Sequence, residues 1–341
     1  MPESFTVGSV TVETGRKKFA PLTVGTMANG SRLLVPVHVL AGSKPGPKLC
    51  VVSTQHGDEI GGIDVARQIV TGLDPQEISG TLAVIPVANP LAFEAQSRWT
   101  TIDGGNLNRS WPGHRDLFVT DRIADIISRE VLSKMEYVID LHSGEPESCY
   151  AYSGIKIQET PGGRQETEDL ELAMAFGTEI VVGTNRFGTP HSVLHYHLAQ
   201  IGVRGFTVEL GDSFVEKKLV RDATEVGVTG IKNIMKHVGM LDGEEKLPKR
   251  QVFVQPEITL QAANGGMMYP EVSMRDLGTV VPKGTLLGRI MSPYTFEEID
   301  RITALFDETI ILAVPSRKVR QHIGGYTFIL SDWKNARWFN H

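Results

Sequence analysis

Apolar runs and amphipathic segments alternate along the first two thirds of the chain. Apolar runs that end in polar or glycine residues, the pattern of strands buried on both faces, are LCVVSTQHG (49–57), TLAVIPVANP (81–90), YVIDLHSG (137–144) and GVRGFTVELGD (202–212). Apolar positions recur at helical spacing in residues 59–73, 116–135, 170–183 and 228–241, the third segment passing from a helix into a strand. The alternation predicts an α/β sheet with helices on both faces, in which ligands bind where strands end.

Both ends of the chain have β patterns. Residues 5–41 contain alternating and β-branched segments that predict short strands, and the Pro and Gly content of SKPGPK (43–48) predicts a loop. The charged segment GEEKLPKRQ (243–251) predicts a linker, followed by short β segments with Gly and Pro turns. We therefore predict a larger domain over residues 1–245 and a smaller all-β domain over residues 246–341.

Composition narrows the classes of protein. The chain has 341 residues, 41% of them hydrophobic and 22% charged, which is typical of a globular protein. Its formal net charge is −6 with no dense basic stripe, which argues against nucleic acid as a partner. No apolar run reaches about 18 residues and no signal-peptide pattern opens the chain, so we predict no membrane segment. The two cysteines, Cys50 and Cys149, predict a reduced, cytoplasmic protein.

His56 and Glu59 are the first candidates for chemistry. They follow a predicted strand at the start of a helix, where both can point at one ion. Zinc accepts imidazole nitrogen and carboxylate oxygen, and a catalytic zinc site has three protein ligands and a water. The alternative is a helix-capping Glu beside a hydrogen-bonded His. The same spacing recurs as His142 and Glu145, so the pattern alone is not specific.

His142 is the second candidate. It lies where an apolar strand opens into a Gly turn, and Asp140 points to the same face of that strand. Asp140 can therefore orient a metal-binding imidazole from behind. The alternative is an ordinary loop histidine with Asp140 paired elsewhere.

Glu209 is the third candidate. It follows a mostly apolar strand, where a carboxylate is costly unless it is paired or functional. A partly desolvated Glu has a raised pKa, which suits a general base near neutral pH. The alternative is a buried Glu bonded to backbone amides.

The Gly-rich segment RWTTIDGGNLNRSWPG (98–113) contributes Arg98, Asn108 and Arg109. An Arg can bind a substrate carboxylate through two parallel hydrogen bonds, and a second guanidinium can stabilise an oxyanion. The alternative is a surface loop with solvated arginines.

A rival metal cluster lies in HSVLHYHL (191–198). His191 and His195 share a face if this segment is helical, whereas His197 lies on another. The helix of a metalloprotease has a Glu next to the first His, and here that position is Ser192. We favour the interpretation that these histidines line a substrate pocket or fill ordinary polar positions.

Four of these pieces, in this order, resemble the zinc-carboxypeptidase superfamily, and most closely its succinylglutamate desuccinylase/aspartoacylase branch. They are QHGDE (55–59), the loop from Arg98 to NLNR (106–109), DLHSG (140–144) and VELG (208–211), spanning residues 50–212 or so. The β-rich tail after residue 245 resembles the C-terminal domain of that branch. The resemblance implies a three-layer α/β/α domain with a mixed sheet, plus a smaller C-terminal all-β domain.

The resemblance also implies a metal site and a base. His56, Glu59 and His142 are expected to bind one zinc ion per chain. Glu209 is expected to act as the general base and later as the proton donor. No tyrosine is assigned to the proton-relay role of related peptidases.

Three more residues take roles from the resemblance. Arg98 is expected to polarise the scissile carbonyl, while Asn108 and Arg109 are expected to hold the substrate carboxylate. Asn106 departs from the family pattern, in which an acidic residue precedes LNR, so the electrostatics of this loop are expected to differ. The tail resembles a biotinyl/lipoyl domain, but its hairpin near FDET (306–309) has no Lys, so we predict no attached cofactor.

We therefore predict a zinc-dependent hydrolase that cuts the amide bond of a small N-acyl amino acid or a related amide. A carboxypeptidase that acts on peptides with the same zinc core is one alternative, and a non-catalytic binding protein is another. A homo-oligomer also stays open. The tail is predicted to shape or cover the mouth of the site.

Overall fold

The structure is a computed structural model that describes residues 4–144, 149–156, 164–184, 193–212, 217–254, 258–315 and 318–341. The α-helices of this part of the chain are α1 (Gly61–Gly72), α2 (Pro90–Glu94), α3 (Val119–Glu130), α4 (Arg164–Phe176), α5 (Leu194–Gln200) and α6 (Lys217–His237). Its strands up to the predicted linker are β1 (Phe5–Val7), β2 (Val10–Val12), β3 (Arg16–Phe19), β4 (Leu22–Thr26), β5 (Arg32–Val35), β6 (His38–Ala41), β7 (Lys44–Ser53), β8 (Ser79–Ile85), β9 (Tyr137–Gly144), β10 (Cys149–Lys156), β11 (Ile180–Thr184) and β12 (Arg204–Asp212). The later strands are β13 (Arg250–Val254), β14 (Ile258–Gln261), β15 (Gly266–Pro270), β16 (Val280–Pro282), β17 (Leu286–Met291), β18 (Glu298–Thr303), β19 (Glu308–Val314), β20 (Val319–Gln321), β21 (Tyr326–Asp332) and β22 (Ala336–Asn340).

A mixed sheet forms the centre of the molecule. Its main path runs in the order β14-β21-β19-β10-β12-β9-β7-β8-β6-β3. Strands β8, β7, β9 and β12 are parallel neighbours, whereas β6 runs antiparallel to β8 and β10 runs antiparallel to β12. Because β7, β9 and β12 lie side by side in one direction, their carboxyl ends meet at one edge, the position at which α/β sheets bind ligands.

Helices cover both faces of this sheet. On one face, α1, α4 and α6 pack over inward-facing residues of the strands such as Val51, Ile139 and Val208. On the other, α3, α5 and the strands near the N-terminus pack over Cys50 and Val138. In α3 the buried positions recur three and four residues apart, as an amphipathic helix requires. The predicted three-layer α/β/α fold with a mixed sheet is confirmed.

The described tail consists of β-strands and short turns, as predicted, and it extends the central sheet. Strand β13 pairs in parallel with β11, and β22 pairs with β13. Strand β19 pairs with β10. A separate four-stranded antiparallel sheet has the order β18-β17-β15-β20. The division at residues 245 and 246, the biotinyl/lipoyl type and the absence of a modification stay predictions.

Some element boundaries differ from the sequence patterns. The predicted loop 43–48 lies largely within β7, whose pairing with β8 is interrupted between Lys44 and Lys48. Pro and Gly occur in strands at such irregularities, and a Cβ on Gly46 would crowd the backbone of Ser79. Among the described residues, no helix has the length and apolar character needed to cross a membrane.

Candidate metal and substrate site

The turn after β7 positions His56 and Glu59. Thr54 adopts a positive φ of 55° directly after the strand, a conformation that is unusual for a β-branched residue. The Thr54 carbonyl accepts the backbone N–H of Asn89 at 3.1 Å, which fixes the bend. Gly57 then passes so close to the backbone of Ala92 in α2 that a Cβ would overlap it. This close approach holds His56 and Glu59 at the carboxyl edge of the sheet.

His142 and Glu209 come from adjacent parallel strands. His142 on β9 is the register partner of Glu209 on β12. Two residues earlier on each strand, Asp140 is the register partner of Thr207. Register partners in a sheet point to the same face, so the side chains of His142 and Glu209 are neighbours on the face that carries α3 and α5. Glu209 is half-buried.

His56, Glu59 and His142 converge in the structure. The Nδ1 atom of His56 lies 2.6 Å from Oε1 of Glu59, and Nδ1 of His142 lies 2.6 Å from Oε2. All three side chains are buried, with exposed fractions of 2%, 4% and 4%. Their ligand atoms lie within 4.8 Å of one another, so these three residues form a group that could hold a metal ion.

The outer ring nitrogens of both histidines face hydrogen-bond acceptors. His56 Nε2 lies 3.1 Å from Oδ1 of Asn106, an oxygen that also accepts the backbone N–H of Asn108 at 2.9 Å. His142 Nε2 lies 3.0 Å from Oδ2 of Asp140. Each Nε2 is therefore assigned the hydrogen, which leaves the lone pair of each Nδ1 directed at the Glu59 carboxylate. Metal-ligating histidines are held by outer partners of this kind.

Charge is concentrated in this buried group. Burial favours a raised pKa for Glu59, but its close contacts with the imidazoles of His56 and His142 outweigh burial and hold that pKa well below its usual range. Burial favours a lowered pKa for His142, but Asp140 and Glu59 outweigh it and raise that pKa well above its usual range. Burial dominates at His56 and lowers its pKa. The space between these atoms therefore attracts a cation, either a proton or a metal ion.

The donor set suits zinc. Two imidazole nitrogens and one carboxylate oxygen are the ligand types that zinc takes in hydrolytic sites, where a fourth position is left for water or substrate. Two lone pairs that face one carboxylate at 2.6 Å repel it unless a positive charge lies between them. The buried arrangement of His56, Glu59 and His142 thus fits a divalent ion.

Arg98 also reaches this group. Its Nη1 donates to Oε1 of Glu59 at 3.2 Å, and its side chain is 26% exposed. The loop that follows is clamped to α3, because the Asp103 carboxylate accepts the backbone N–H and the hydroxyl of Thr120, both at 2.8 Å. Arg98 therefore lies at the mouth of the site on a fixed loop.

Asn108 and Arg109 lie on the turn Leu107–Arg109 of the same loop. Asn108 Nδ2 is 3.4 Å from His142 Nε2, and its Oδ1 accepts the backbone N–H of Leu194 at the start of α5. Arg109 is exposed, and its Nη1 donates to the Asn108 carbonyl at 2.6 Å. Asn108 thus lies beside the candidate ligands, and Arg109 lies further out.

The rival histidine cluster is only partly described. His191 lies outside the described residues, while His195 and His197 lie on α5. His197 Nε2 lies 2.7 Å from the Ser128 hydroxyl, and its ring is parallel to that of Trp111 at 6.3 Å. Among the described residues, the group that meets the geometry of a metal site is the one around Glu59.

Sequence reasoning missed two residues that support the site. The Gln55 side chain donates to both oxygens of Asp140, at 2.9 and 2.8 Å. The Trp111 indole N–H donates to Oε1 of Gln55 at 2.8 Å. Gln55 lies within QHGDE, so its place next to His56 was a signal, whereas nothing near Trp111 in sequence pointed to this contact.

These features define an α/β protein with a candidate metal site: a mixed sheet is covered on both faces, and a buried His-Glu-His group lies at the carboxyl edge of its strands. The chain belongs to the succinylglutamate desuccinylase/aspartoacylase family, whose catalytic-domain profile matches residues 45–238.

Individual relatives agree with this membership. The chain is 28% identical over 269 residues to the N-alpha-acetyl-L-2,4-diaminobutyric acid deacetylase of Halomonas elongata, covering 76% of this chain and 74% of that protein. It is similar to the structure of an aspartoacylase family protein of Mesorhizobium loti, at 25% identity and a TM-score of 0.79, covering 96% and 99% of the two chains. The product-bound ectoine utilization protein EutE (DoeB) of Ruegeria pomeroyi shares the fold, at 22% identity and a TM-score of 0.81, covering 93% and 97%.

Proposed function

We propose that this chain is a zinc-dependent hydrolase that removes the acyl group from a small N-acyl amino acid or a related amide. The observation that carries the proposal is the convergence of both Nδ1 atoms on the Glu59 carboxylate, with each Nε2 held by an acceptor. One zinc ion per chain is expected between His56, Glu59 and His142.

The choice of substrate class rests on the family and on its named members. The Halomonas elongata relative is named for removing an acetyl group from the α-amino group of diaminobutyric acid. A substrate of this kind has an amide to cut and a carboxylate to bind. Asn108 and the guanidinium groups of Arg98 and Arg109 offer donors at the mouth of the site for these two groups.

Proton transfer is assigned to Glu209. A zinc ion held in this site would lower the pKa of a water molecule towards about 7 and polarise the acyl oxygen. Glu209, beside His142 on the neighbouring strand, takes the proton of the attacking water. It then delivers that proton to the nitrogen of the leaving amine, so that carboxylate and amine are released as products.

The remaining polar groups orient the substrate. Arg98 donates to the acyl oxygen as negative charge develops there, which is the role that oxyanion-stabilising donors play. Asn108 offers Nδ2 to the substrate carboxylate, since its Oδ1 is occupied by the Leu194 N–H. Arg109 closes over the same carboxylate from the exposed rim. Cytoplasmic localisation stays a prediction.

A substrate panel tests the proposal. The zinc-loaded chain is incubated with N-acetyl and N-succinyl amino acids, N-acetyl-L-2,4-diaminobutyric acid among them, and with short unblocked peptides, and the released amine is measured. We expect release from one or more N-acyl amino acids, loss of release after dialysis against a chelator, and recovery when zinc is restored.

The other outcomes separate the alternatives. Release from peptides alone would identify a carboxypeptidase. A chain that binds one zinc ion but cleaves neither class of compound would be a binding protein. A chain that takes up no zinc at all would contradict the metal site itself.

A further inference from the structure

A buried chain of hydrogen bonds leads away from the candidate metal ligand His142. We define the support chain as Trp111, Gln55, Asp140 and His142. The indole N–H of Trp111 donates to Oε1 of Gln55 at 2.8 Å, and Nε2 of Gln55 donates to both oxygens of Asp140. Asp140 accepts from Nε2 of His142 at 3.0 Å. The four side chains are 1–4% exposed, so water does not compete for these bonds.

The two outer partners of Gln55 fix its orientation. An indole N–H is a donor only, and an ionised carboxylate is an acceptor only. The Gln55 amide must therefore turn its oxygen to Trp111 and its nitrogen to Asp140. The amide satisfies both neighbours because it has an acceptor oxygen for Trp111 and a donor nitrogen for Asp140.

The same bonds orient His142. With the amide N–H groups of Gln55 on both Asp140 oxygens, the carboxylate is held in one plane while it accepts from His142 Nε2. The hydrogen of the imidazole is then placed on Nε2, and the lone pair of Nδ1 is presented to the Glu59 side of the group.

The far end of the support chain is fixed by packing. Trp111 is 2% exposed, and its ring lies parallel to that of His197 with 5° between the planes. His197 is held in turn by the Ser128 hydroxyl at 2.7 Å. The indole N–H is therefore a fixed donor rather than a mobile one.

We infer that Gln55 and Trp111 are positioning residues of the metal site, which hold Asp140 so that His142 presents Nδ1 to the ion. This inference rests on the proposed function, because it concerns the same three ligands. It adds that metal affinity depends on two residues that touch neither the ion nor the substrate.

The variant Gln55→Met tests this role, since it keeps the length of the side chain, adds no charge, and removes both the donor and the acceptor. Gln251→Met is the matched control. Gln251 is also fully buried and donates from Nε2 to two carbonyls, those of Met174 and Thr178, but it lies on β13. Zinc dissociation constants are measured by competition with a chromophoric chelator, and the visible spectrum of the cobalt-loaded chain is recorded.

We expect Gln55→Met to weaken zinc binding about tenfold, near the lower end of the effect of outer partners of metal-ligating histidines, and to shift the cobalt spectrum. We expect Gln251→Met to lower the melting temperature while leaving the zinc dissociation constant within about twofold and the spectrum unchanged. A structural role alone would move only the melting temperature in both variants.

Trp111→Phe provides a second measurement, because it keeps an aromatic ring next to His197 but removes the N–H. We expect zinc binding weaker by about threefold, and this variant decides the matter if Gln55→Met does not fold. Unchanged zinc affinity in every folded variant of these two residues, with tight binding by the natural chain, would overturn the inference alone. A natural chain that binds no zinc would overturn the proposed function as well.

Discussion

Glu209 lies beside His142 across two parallel strands, which makes it the residue whose role is most directly testable. Glu209→Gln preserves shape and polarity but removes the ability to take a proton. We expect kcat to fall by about 10²–10⁴-fold, the usual contribution of a general base. Steady-state kinetics on the substrate found with the panel would measure this, alongside metal content, which should stay at one zinc ion per chain.

The surface variant Glu77→Gln is the control for that experiment, since Glu77 is exposed in the turn before β8, at the amino edge of the parallel strands and opposite the site. Its kcat should match that of the natural chain. Full activity in Glu209→Gln would remove Glu209 from the mechanism.

Gly57 is needed because the loop that carries the ligands touches the backbone of α2. A Cβ at residue 57 would overlap the Ala92 carbonyl, and backbone atoms cannot move aside as the end of a flexible side chain can. We expect Gly57→Ala to lower the free energy of unfolding by about 3 kcal/mol and to weaken zinc binding. Urea unfolding would measure the first effect.

Gly72→Ala is the matched control for that substitution. Gly72 ends α1 in open space, with nothing within 4 Å of an added Cβ. Since Ala is the better helix former, stability should rise by up to about 1 kcal/mol. Equal stability changes in the two variants would contradict the close contact.

At the scale of elements, Asp103 joins the substrate loop to the start of α3. Its carboxylate accepts from the hydroxyl and the backbone N–H of Thr120, the second residue of the helix, and from the Gly105 N–H. In Asp103→Asn one acceptor is replaced by a donor that faces donors. We expect a loss of about 1–3 kcal/mol in the free energy of unfolding, measured by urea denaturation, and a raised KM because the loop carries Asn108.

Asp121→Asn separates the hydrogen bonds from the charge. Asp121 lies in the first turn of the same helix, where loss of a negative charge costs about 0.3–1 kcal/mol. If the two variants lose the same stability, the hydrogen bonds of Asp103 contribute nothing beyond its charge.

The sequence patterns located the elements that carry the site. Apolar runs that end in QHG, DLHSG and VELG predict strands that open onto one edge, and β7, β9 and β12 end there. These strands can be predicted from the sequence because burial on both faces requires continuous apolar residues. The three residues that the motifs singled out as metal ligands, His56, Glu59 and His142, lie together in a group that could hold a metal ion.

Other elements could not be read from local patterns. Strand β10 has the sequence CYAYSGIK, whose mixed character gives no clear period, and it is defined by pairing with β12, β11 and β19. Helix α5 is only seven residues long, too short for a helical period to stand out. The Gln55 and Trp111 contacts join segments 56 residues apart, and such contacts are set by tertiary packing.

At the scale of the whole molecule, the tail and the larger part of the chain share a core. Ile180 and Val182 of β11 pack with Val252 and Val254 of β13, and with residues of β19 and β21. We expect removal of residues 246–341 to yield a chain that aggregates or fails to fold, because apolar side chains and the edges of β10 and β11 would be exposed. Size-exclusion chromatography and circular dichroism would test this.

A loop replacement in the small four-stranded sheet is the control for this deletion. Tyr294 and Phe296, in the turn between β17 and β18, are 90% and 79% exposed, so they contribute little to any core within this chain. Replacing residues 293–296 with Asn-Gly should leave the melting temperature within a few degrees. A folded, active chain without residues 246–341 would show instead that the larger part stands alone, as the predicted division at residue 245 implies.

Strand β13 lies between β11 and β22, and β22 is the last of the described strands in the order of synthesis. A nascent chain on the ribosome can therefore assemble the strands from β6 to β12 early, but β13 keeps an open row of N–H and C=O groups until β22 emerges. Such an unpaired edge invites association with other chains. Chaperones that shield nascent chains should accordingly raise the yield of this protein more than its modest size would suggest.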